Sequence, residues 1–483
     1  MKFPAYSRYK PSGVEWLGDV PEHWELKKLK FVTKTITGGV WGEDPDAENQ
    51  GVPVATTANI GRQGELDVNG MNRRVLSLEE RQKGKCAPGD TIVVKSSGSA
   101  TNVISGKAGY VKPEHGELFF SNFTMRVRPR MQEAHPKFAW YFLISEIVQS
   151  QVRLMVSTTT YPNLQVPEYL SCLYPKAPLL EQRAIADFLD ARTAKLDTLV
   201  AKKRALIERL KEKRTALISH TVTRGLPPDA ARPAGLDPRP KLKASGIEWL
   251  GNVPEHWKVK PMKFISRIGN GSTPNRENVD YWWDGTYPWL NSSVVKEEEV
   301  SEASDFVTAL ALRECHLPKI VPPAVLVGIT GQGKTRGMAT ILTIEATTNQ
   351  HLAYLKPLSS DLDVRYLRRT LDHAYRYLRS ESEGGGSTKG AITCEQLANL
   401  TLAIPPPSEQ RAIADYLDQE AAKIDQMVAK VEAAIERLQE YRTALITAAV
   451  TGKIDVRGLA TAAGQPRPQT IAEPDRQNIP NTV

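Results

Sequence analysis

The chain has 483 residues, of which 41% are hydrophobic and 24% charged, a composition typical of soluble globular proteins with two to four domains. Its formal net charge of +8 permits a nucleic-acid partner without establishing one. We expect no membrane span, signal peptide, disulfide framework or structural zinc site, because there is no long apolar run, the start of the chain is polar, and the four cysteines are far apart.

Two segments of the chain each occur twice, in the same order. Residues 12–24 (SGVEWLGDVPEHW) return at 245–257 as SGIEWLGNVPEHW, and 28 of 43 positions are identical between 181–223 and 409–451. The stretches between, about 25–178 and 258–405, show no such register. Repeated segments that flank two dissimilar stretches predict a protein that performs one task on two different targets.

The duplication and the prolines divide the chain into alternating segments. The predicted fold is α+β, with two mixed α/β variable domains alternating with two long helices that pair as an antiparallel coiled coil. In chain order, the predicted segments are a first variable domain at 1–178, a first helix at 179–223, a Pro-rich linker at 224–244, a second variable domain at 245–405, a second helix at 406–453 and a disordered tail at 454–483.

Within the variable domains, short β-branched runs beside glycine or proline predict strands at 91–94, 325–327 and 340–344. Helices are expected at 137–151 and 363–379. Each variable domain therefore mixes strands with a few helices.

Apolar spacing predicts that both conserved segments are coiled-coil helices, since an apolar residue recurs at every seventh position with Lys203 as the single exception. The predicted helix-pairing residues are Leu189, Leu196, Leu210, Leu217, Leu417, Ile424, Val431, Leu438 and Leu445. The row expected to accompany them consists of Leu199, Leu206, Met427, Ala434 and Tyr441. Helices this long need a partner, and the simplest partner is the other copy, running antiparallel.

One local pattern points to a different chemistry. Residues 328–335 (GITGQGKT) satisfy the phosphate-loop pattern GxxxxGK[ST], which requires a helix to begin at the Lys-Thr pair. Gly337 and the β-branched residues after it favour a strand instead. We expect a glycine turn between two strands and keep a nucleotide hydrolase that uses this loop as an alternative.

Basic and small polar residues cluster at predicted turns in both variable domains. Such loops suit contacts to phosphates and base edges, although each cluster alone could be an ordinary solvated loop. The candidate DNA-binding residues are Lys95, Ser96, Ser97, Arg126, Arg128, Thr158, Thr159, Tyr161, Asn291, Ser292, Thr330, Gln332, Lys334, Arg336, Ser387, Thr388 and Lys389. No catalytic or metal-binding residue is predicted.

The repeated Pro-Glu-His-Trp segments contain the remaining candidates for a specific role. His23 and His256 are expected to be packing and turn residues. The tryptophans expected to anchor these segments are Trp16, Trp24, Trp249 and Trp257.

The paired motifs resemble those of type I restriction-modification specificity subunits. The resemblance rests on both Ser-Gly-Val/Ile-Glu-Trp-Leu-Gly segments with their Val-Pro-Glu-His-Trp endings and on both Glu-Gln-Arg-Ala-Ile-Ala-Asp helix starts. It rests equally on the Arg-Thr-Ala-Leu-Ile helix ends and on Gly-Asp-Thr-Ile-Val-Val at 89–94. It spans about 1–455.

This resemblance implies a non-catalytic chain whose variable domains are target recognition domains, each reading one half of a split sequence in double-stranded DNA. It implies that the paired helices set the spacer and dock two methyltransferase subunits, through which restriction/translocase subunits join. The assembled complex would be a cytoplasmic DNA adenine methyltransferase and ATP-dependent endonuclease. S-adenosylmethionine, ATP and Mg would lie on the partner subunits. A coiled-coil scaffold without DNA binding is the other alternative.

Overall fold

The computed structural model describes residues 3–96, 98–99, 102–157, 162–331, 333–383 and 390–459. Contacts divide the chain into two compact units, one formed by Met1–Lys202 with Ala433–Val483 and the other by Lys203–Glu432. Each unit holds one variable domain together with part of both long helices. The units therefore cut across the predicted segments, because the start of each helix packs with the end of the other.

The two long helices, Leu179–Arg224 and Pro407–Val450, contain 46 and 44 residues. In the first unit, Leu189 near the start of the first helix shares a core with Leu445 near the end of the second. In the second unit, Ile218 near the end of the first helix shares a core with Ile413 near the start of the second. The predicted antiparallel pairing is confirmed within each unit.

The prediction of which residues form the second apolar row of the helices is wrong. Leu199 is 42% exposed and Leu206 44%, whereas Val200 and Ile207, one position further on, are each 7% exposed. The buried second row therefore follows the predicted leucines by four residues and not by three. A helix interface with alternating steps of three and four residues fits either choice, so spacing alone did not decide between them. On the second helix, Met427 and Tyr441 are exposed for the same reason.

The first variable domain is built mainly from short strands. Its strands are Tyr9–Pro11, Asp19–Pro21, Glu25–Lys28, Thr33–Thr37, Val52–Ala55, Asn72–Arg74, Thr91–Val94, Gly98–Ser99, Asn102–Val103, Ala108–Tyr110, Phe119–Phe120, Thr124–Pro129, Val156–Ser157, Asn163–Leu164 and Leu173–Lys176. Its helices and 3-10 turns are Leu29–Val32, Thr57–Asn59, Leu78–Gly84, Pro113–His115, Pro136–Ile144, Glu146–Met155 and Val166–Tyr169.

The second variable domain and the segment leading into it have a similar make-up. The strands are Leu242–Ala244, Asn252–Pro254, Lys258–Pro261, Ser266–Asn270, Tyr287–Leu290, Glu299–Val300, Asp305–Val307, Ala324–Gly328, Ala339–Leu342, Thr347–Thr348, Leu352–Pro357 and Thr401–Ile404. The helices and 3-10 turns are Pro228–Ala231, Met262–Phe264, Val279–Tyr281, Ser292–Lys296, Ala309–Glu314, Val364–Glu383 and Cys394–Asn399.

The two variable domains share a topology although their sequences show no register, and the large sheet of the second has one further edge strand, Glu299–Val300. In each domain a large, mostly antiparallel sheet lies next to a three-stranded sheet that contains a parallel pair, Phe119–Phe120 on Val52–Ala55 and Thr347–Thr348 on Tyr287–Leu290. From this pair onward, corresponding elements stand 228 positions apart, as Glu181 and Glu409 do. The variable domains are therefore also duplicated in their backbone structure, although their sequences no longer match.

The predicted strands are confirmed at Thr91–Val94, Ala324–Gly328 and Ala339–Leu342. The single helix expected at 137–151 is instead two helices that meet at Ser145. Ser145 is fully buried and extended, with φ −65° and ψ 147°, and its hydroxyl donates to the Phe142 carbonyl at 2.6 Å. This local hydrogen bond offers the backbone an alternative to continuing the helix.

The segments expected to be a linker and a tail are partly packed. In the linker, Leu226 and Ala231 are buried in the core that contains Trp257. At the other end of the chain, Ile454 and Val456 are buried in the core that contains Trp24. The expected tail boundary at 454 is therefore too early, because these two apolar side chains complete the core of the first unit.

A repeated Glu-Gln pair at the start of each long helix fastens the variable domain to that helix. Glu181 accepts hydrogen bonds from Trp24 Nε1 at 3.0 Å and from Tyr6, and it contacts His23 at 2.9 Å. Gln182 accepts from the His135 amide at 2.8 Å. These contacts confirm the predicted anchoring role of Trp24 and the packing role of His23.

The second unit repeats the histidine and glutamine contacts of this joint. His256 contacts Glu409 at 2.8 Å, and Gln410 accepts from the Asp363 amide at 2.9 Å. Trp257 is 1% exposed, but its indole nitrogen has no hydrogen-bond partner within the described part of the chain. Apolar packing is therefore what holds this tryptophan.

Candidate nucleic-acid interface

Four loops meet at one edge of the first variable domain, at residues 37–41, 56–57, 95–96 and 121–123. Backbone hydrogen bonds join them, since the amides of Lys95 and Ser96 donate to the Phe123 carbonyl at 3.0 and 3.1 Å and the Ser121 amide donates to Ala55 at 3.0 Å. We call these residues, with their counterparts in the second domain, the loop edge. Each loop follows the end of a strand, so the sheets fix the positions of the loops.

The second variable domain builds the same loop edge from residues 270–273, 291–292, 329–330 and 349–351. The Ile329 amide donates to the His351 carbonyl at 3.0 Å, as Lys95 does to Phe123. The Asn349 amide donates to Leu290 at 2.9 Å, as Ser121 does to Ala55. One scaffold thus presents two different sets of side chains.

The structure brings several predicted residues together at this edge. Lys95 and Ser96 are half-buried in the first domain. Thr330 occupies the place of Ser96. Thr330 forms an isolated β-bridge with Ala391, and Ser96 forms one with Asn163, which is the equivalent residue of the first domain. Asn291 and Ser292 also belong to the edge, where Asn291 begins a 3-10 turn and its side chain accepts from the Ser293 amide at 2.9 Å.

Arg126 and Arg128 do not reach the loop edge. Both lie on the strand Thr124–Pro129, and their guanidinium groups face Asp90, which is 1% exposed. Arg128 holds the Asp90 carboxylate through two hydrogen bonds of 2.6 and 2.7 Å. Arg126 donates to the Lys85 carbonyl, and burial lowers the pKa of its guanidinium. These contacts give both arginines a structural role inside the domain.

The phosphate-loop pattern forms a turn between two antiparallel strands, as predicted. The Gly337 amide donates to Gly328 at 2.7 Å, and the strand Ala339–Leu342 follows. Lys334 is exposed, and its carbonyl accepts from Tyr375 at 2.9 Å. Arg336 is buried at 3% exposure. A nucleotide phosphate would need the amino end of a helix here, and this loop leads into a strand.

The remaining candidates lie outside the described residues. They are Ser97, Thr158, Thr159, Tyr161, Gln332, Ser387, Thr388 and Lys389.

Sequence reasoning missed the aromatic side chains of the first loop edge. Phe123 is 49% exposed and Trp41 44%, and their rings meet edge to face at 6.3 Å. The Arg74 guanidinium lies over the Trp41 ring, 4.6 Å from its centroid. No local pattern marked these residues, because they come from separate loops.

A second lysine near Lys95 in the fold, Lys107, was also missed. The Lys107 carbonyl accepts from the Val94 amide at 2.8 Å, directly before Lys95 in the chain. Burial, followed by the positive charge of Arg62, lowers the pKa of the Lys107 amine, and the negative charge of Glu65 opposes this shift. This backbone contact places Lys107 beside the strand that leads into Lys95.

The missed residues of the second loop edge are polar. Asn270, Thr273, Gln350 and His351 come from two loops and contact one another through Gln350. The signal that could have found them is the run Thr-Thr-Asn-Gln-His at 347–351, which places base-reading residue types between two short strands.

In the ranges that the structure describes, no three His, Cys, Asp or Glu side chains are grouped as a metal site would require. Over the same residues, no helix is long and apolar enough to cross a membrane.

Residues 21–209 and 254–437 match the family described as type I restriction modification DNA specificity domain. The chain belongs to this family. Each matched stretch covers one variable domain and the start of the long helix that follows it. The family predicted from the paired motifs is thereby confirmed, and the two variable domains are its specificity domains.

Relatives in the specificity family share moderate identity with this chain. The type I restriction enzyme MjaIX specificity subunit of Methanocaldococcus jannaschii is 30% identical over 35% of this chain, and the match spans only 38% of the relative's length. The putative MjaX specificity subunit of the same organism is 21% identical over 91% of this chain and 96% of its own.

A solved structure supports the fold. A chain from work on complex assembly and conformational transition of the type I R-M system aligns with a TM-score of 0.60 at 18% identity. The alignment covers 90% of this chain and 99% of that one. The α+β architecture with two repeated domains and long helices is confirmed.

Proposed function

We propose that this chain is the DNA-reading subunit of a type I restriction-modification complex, in which each variable domain reads one half of a bipartite double-stranded target through its loop edge. The observation that carries this proposal is the repeated scaffold with different side chains. In the first domain it presents Lys95, Trp41 and Phe123, and in the second Asn270, Gln350 and His351. Polar and aromatic groups on fixed loops supply both phosphate contacts and base contacts.

The exposed apolar residues of the helices support docking of partner subunits. Leu199 and Tyr441 in the first unit, and Leu206 and Met427 in the second, leave apolar surface uncovered. In the first unit a groove of about 960 Å³ runs between Trp16 and the second long helix at Ala444. We propose that two methyltransferase subunits cover such surfaces, that restriction/translocase subunits join through them, and that the helices set the spacer.

The chain itself is non-catalytic in this proposal, and the complex works in the cytoplasm. The partners carry S-adenosylmethionine, ATP and Mg, and the complex acts as a DNA adenine methyltransferase and ATP-dependent endonuclease. None of these groups needs a site on this chain.

The test is to produce the chain with its methyltransferase subunits and to map N6-methyladenine by sequencing. The expected result is a split motif, of which one half changes when residues 25–178 are replaced by the same domain of a relative. As a control, replacing residues 258–405 should change the other half alone. Methylation without a motif, or changes in both halves after one exchange, would contradict the proposal.

A further inference from the structure

The Gln350 side chain is exposed, yet three neighbouring side chains hold the residue in place. Thr273 donates from its hydroxyl to Gln350 Oε1 at 2.7 Å. Gln350 Nε2 lies 3.1 Å from His351 Nε2, which accepts because an amide nitrogen only donates. Asn270 Nδ2 donates to the Gln350 carbonyl at 3.2 Å. An exposed glutamine normally samples many rotamers, so this arrangement removes freedom before any ligand arrives.

The two side-chain contacts leave a specific hydrogen-bonding pattern unused. An amide group has two acceptor positions on its oxygen and two N–H donors. Thr273 takes one acceptor position and His351 takes one donor. One acceptor position on Oε1 and one N–H on the neighbouring Nε2 remain. Adenine presents the complementary pair in the major groove, a donor at N6 and an acceptor at N7.

The backbone of the positioning residue His351 is itself held by hydrogen bonds. The His351 amide donates to Asn349 Oδ1 at 3.0 Å, and Asn349 is only 6% exposed. The Asn349 amide in turn donates to Leu290, at the end of a strand. The side-chain amide of Gln350 is therefore connected to the sheet through His351 and the buried Asn349, as a base-reading group requires.

We infer that Gln350 reads an adenine of the second half-site through a bidentate contact, and that Thr273 and His351 position its amide. This inference rests on the proposed function and adds the identity of one base. The first domain does not repeat the device, because Phe123 stands in the place of His351 and Asn122 in the place of Gln350. The half-site read by the first domain is therefore recognised by different chemistry.

The experiment uses the chain assembled with its methyltransferase subunits, and it compares methylation rates on every single-base variant of the motif. Gln350→Ala should make one adenine position of the second half-site degenerate, with discrimination reduced roughly 5- to 150-fold. Gln350→Glu should shift the same position toward cytosine, since a carboxylate accepts from cytosine N4. Thr273→Val should weaken discrimination at that position although the glutamine itself is retained.

Asn122→Ala is the matched control, because it alters the equivalent loop of the first domain and should leave the second half-site unchanged. A second half-site without adenine, or one that Gln350→Ala leaves intact, would overturn the inference. So would loss of all methylation by a variant that still unfolds at the wild-type temperature, since Gln350 would then be needed on every sequence and not for the choice of one base. Failure of the proposed function looks different, because the wild-type complex would then give no motif.

Discussion

Arg442 of the second long helix donates to Asp197 of the first, from Nε at 2.9 Å and from Nη2 at 3.4 Å. The arginine side chain is 10% exposed and the aspartate side chain 43%. Arg214 and Asp425, which hold the same positions of the duplicated helices, form the equivalent contact at 3.5 Å in the other unit. One ion pair in each unit therefore fixes the register of the antiparallel helices.

Removing Arg442 should destabilise the first unit. Arg442→Ala leaves Asp197 without its partner, and we expect the free energy of unfolding to fall by about 1–3 kcal/mol, less than for a fully buried pair because Asp197 is half-exposed. Urea unfolding measures this change. Arg437→Ala, at an exposed position of the same helix, is the control and should cost less than about 0.5 kcal/mol. Equal losses in the two variants would show that the pair does not hold the helices.

Two leucine truncations should separate the buried helix interface from the exposed surface. Leu445 is 3% exposed, so Leu445→Ala should lower the free energy of unfolding by about 2–5 kcal/mol. Leu199 is 42% exposed, so Leu199→Ala should change it by less than about 0.5 kcal/mol. We expect Leu199→Ala to weaken binding of a methyltransferase subunit instead, measured by calorimetric titration. Full binding by Leu199→Ala would remove this residue from the docking surface.

The duplicated segments were predictable because identical side chains return in the same order, and the paired helices because apolar residues recur at every seventh position. The roles of Arg126 and Arg128 were not, because their partner Asp90 directly precedes another strand, Thr91–Val94, and only the sheet register brings them together. The role of Gln350 was not predictable for the same reason, since its partner Thr273 is 77 positions away in the chain. Local pattern predicts elements well, whereas a site built from loop ends depends on topology.

Acid should destabilise the second unit through His373. Its Nδ1 lies 2.9 Å from the Ser219 hydroxyl and its ring lies 5.3 Å from that of Trp249. Burial lowers the pKa of His373, so the unfolded chain takes up a proton at a higher pH than the folded one does. The stability contributed by the neutral ring is present above the ordinary histidine pKa of about 6.5 and is lost as pH falls below it.

We therefore expect the free energy of unfolding to decrease between pH 7.5 and 5.5, and to decrease less in His373→Asn. Urea unfolding across this range, followed by a probe in the second unit such as Trp249 fluorescence, measures the slope. His220→Asn, at an exposed position of the first long helix, is the control and should keep the wild-type slope. A variant at 373 with an unchanged slope would assign the acid sensitivity to other groups.

Lys334 should contribute to DNA affinity and not to nucleotide chemistry. It is exposed in a turn that leads into the strand Ala339–Leu342, so no helix end is available to bind a phosphate chain. Lys334→Ala should weaken DNA binding about equally for all sequences and reduce the slope of log affinity against log salt by about 1, because one phosphate contact is lost. The methylated motif should stay the same.

Lys430→Ala, at an exposed position of the second long helix, gives the matched loss of one charge away from the loop edge. Titration of labelled DNA at several salt concentrations should show a reduced slope for Lys334→Ala and the wild-type slope for Lys430→Ala. Identical slopes in both variants would remove Lys334 from the interface. If the purified chain hydrolyses ATP and Lys334→Ala abolishes this activity, the alternative function of a nucleotide hydrolase would be supported instead.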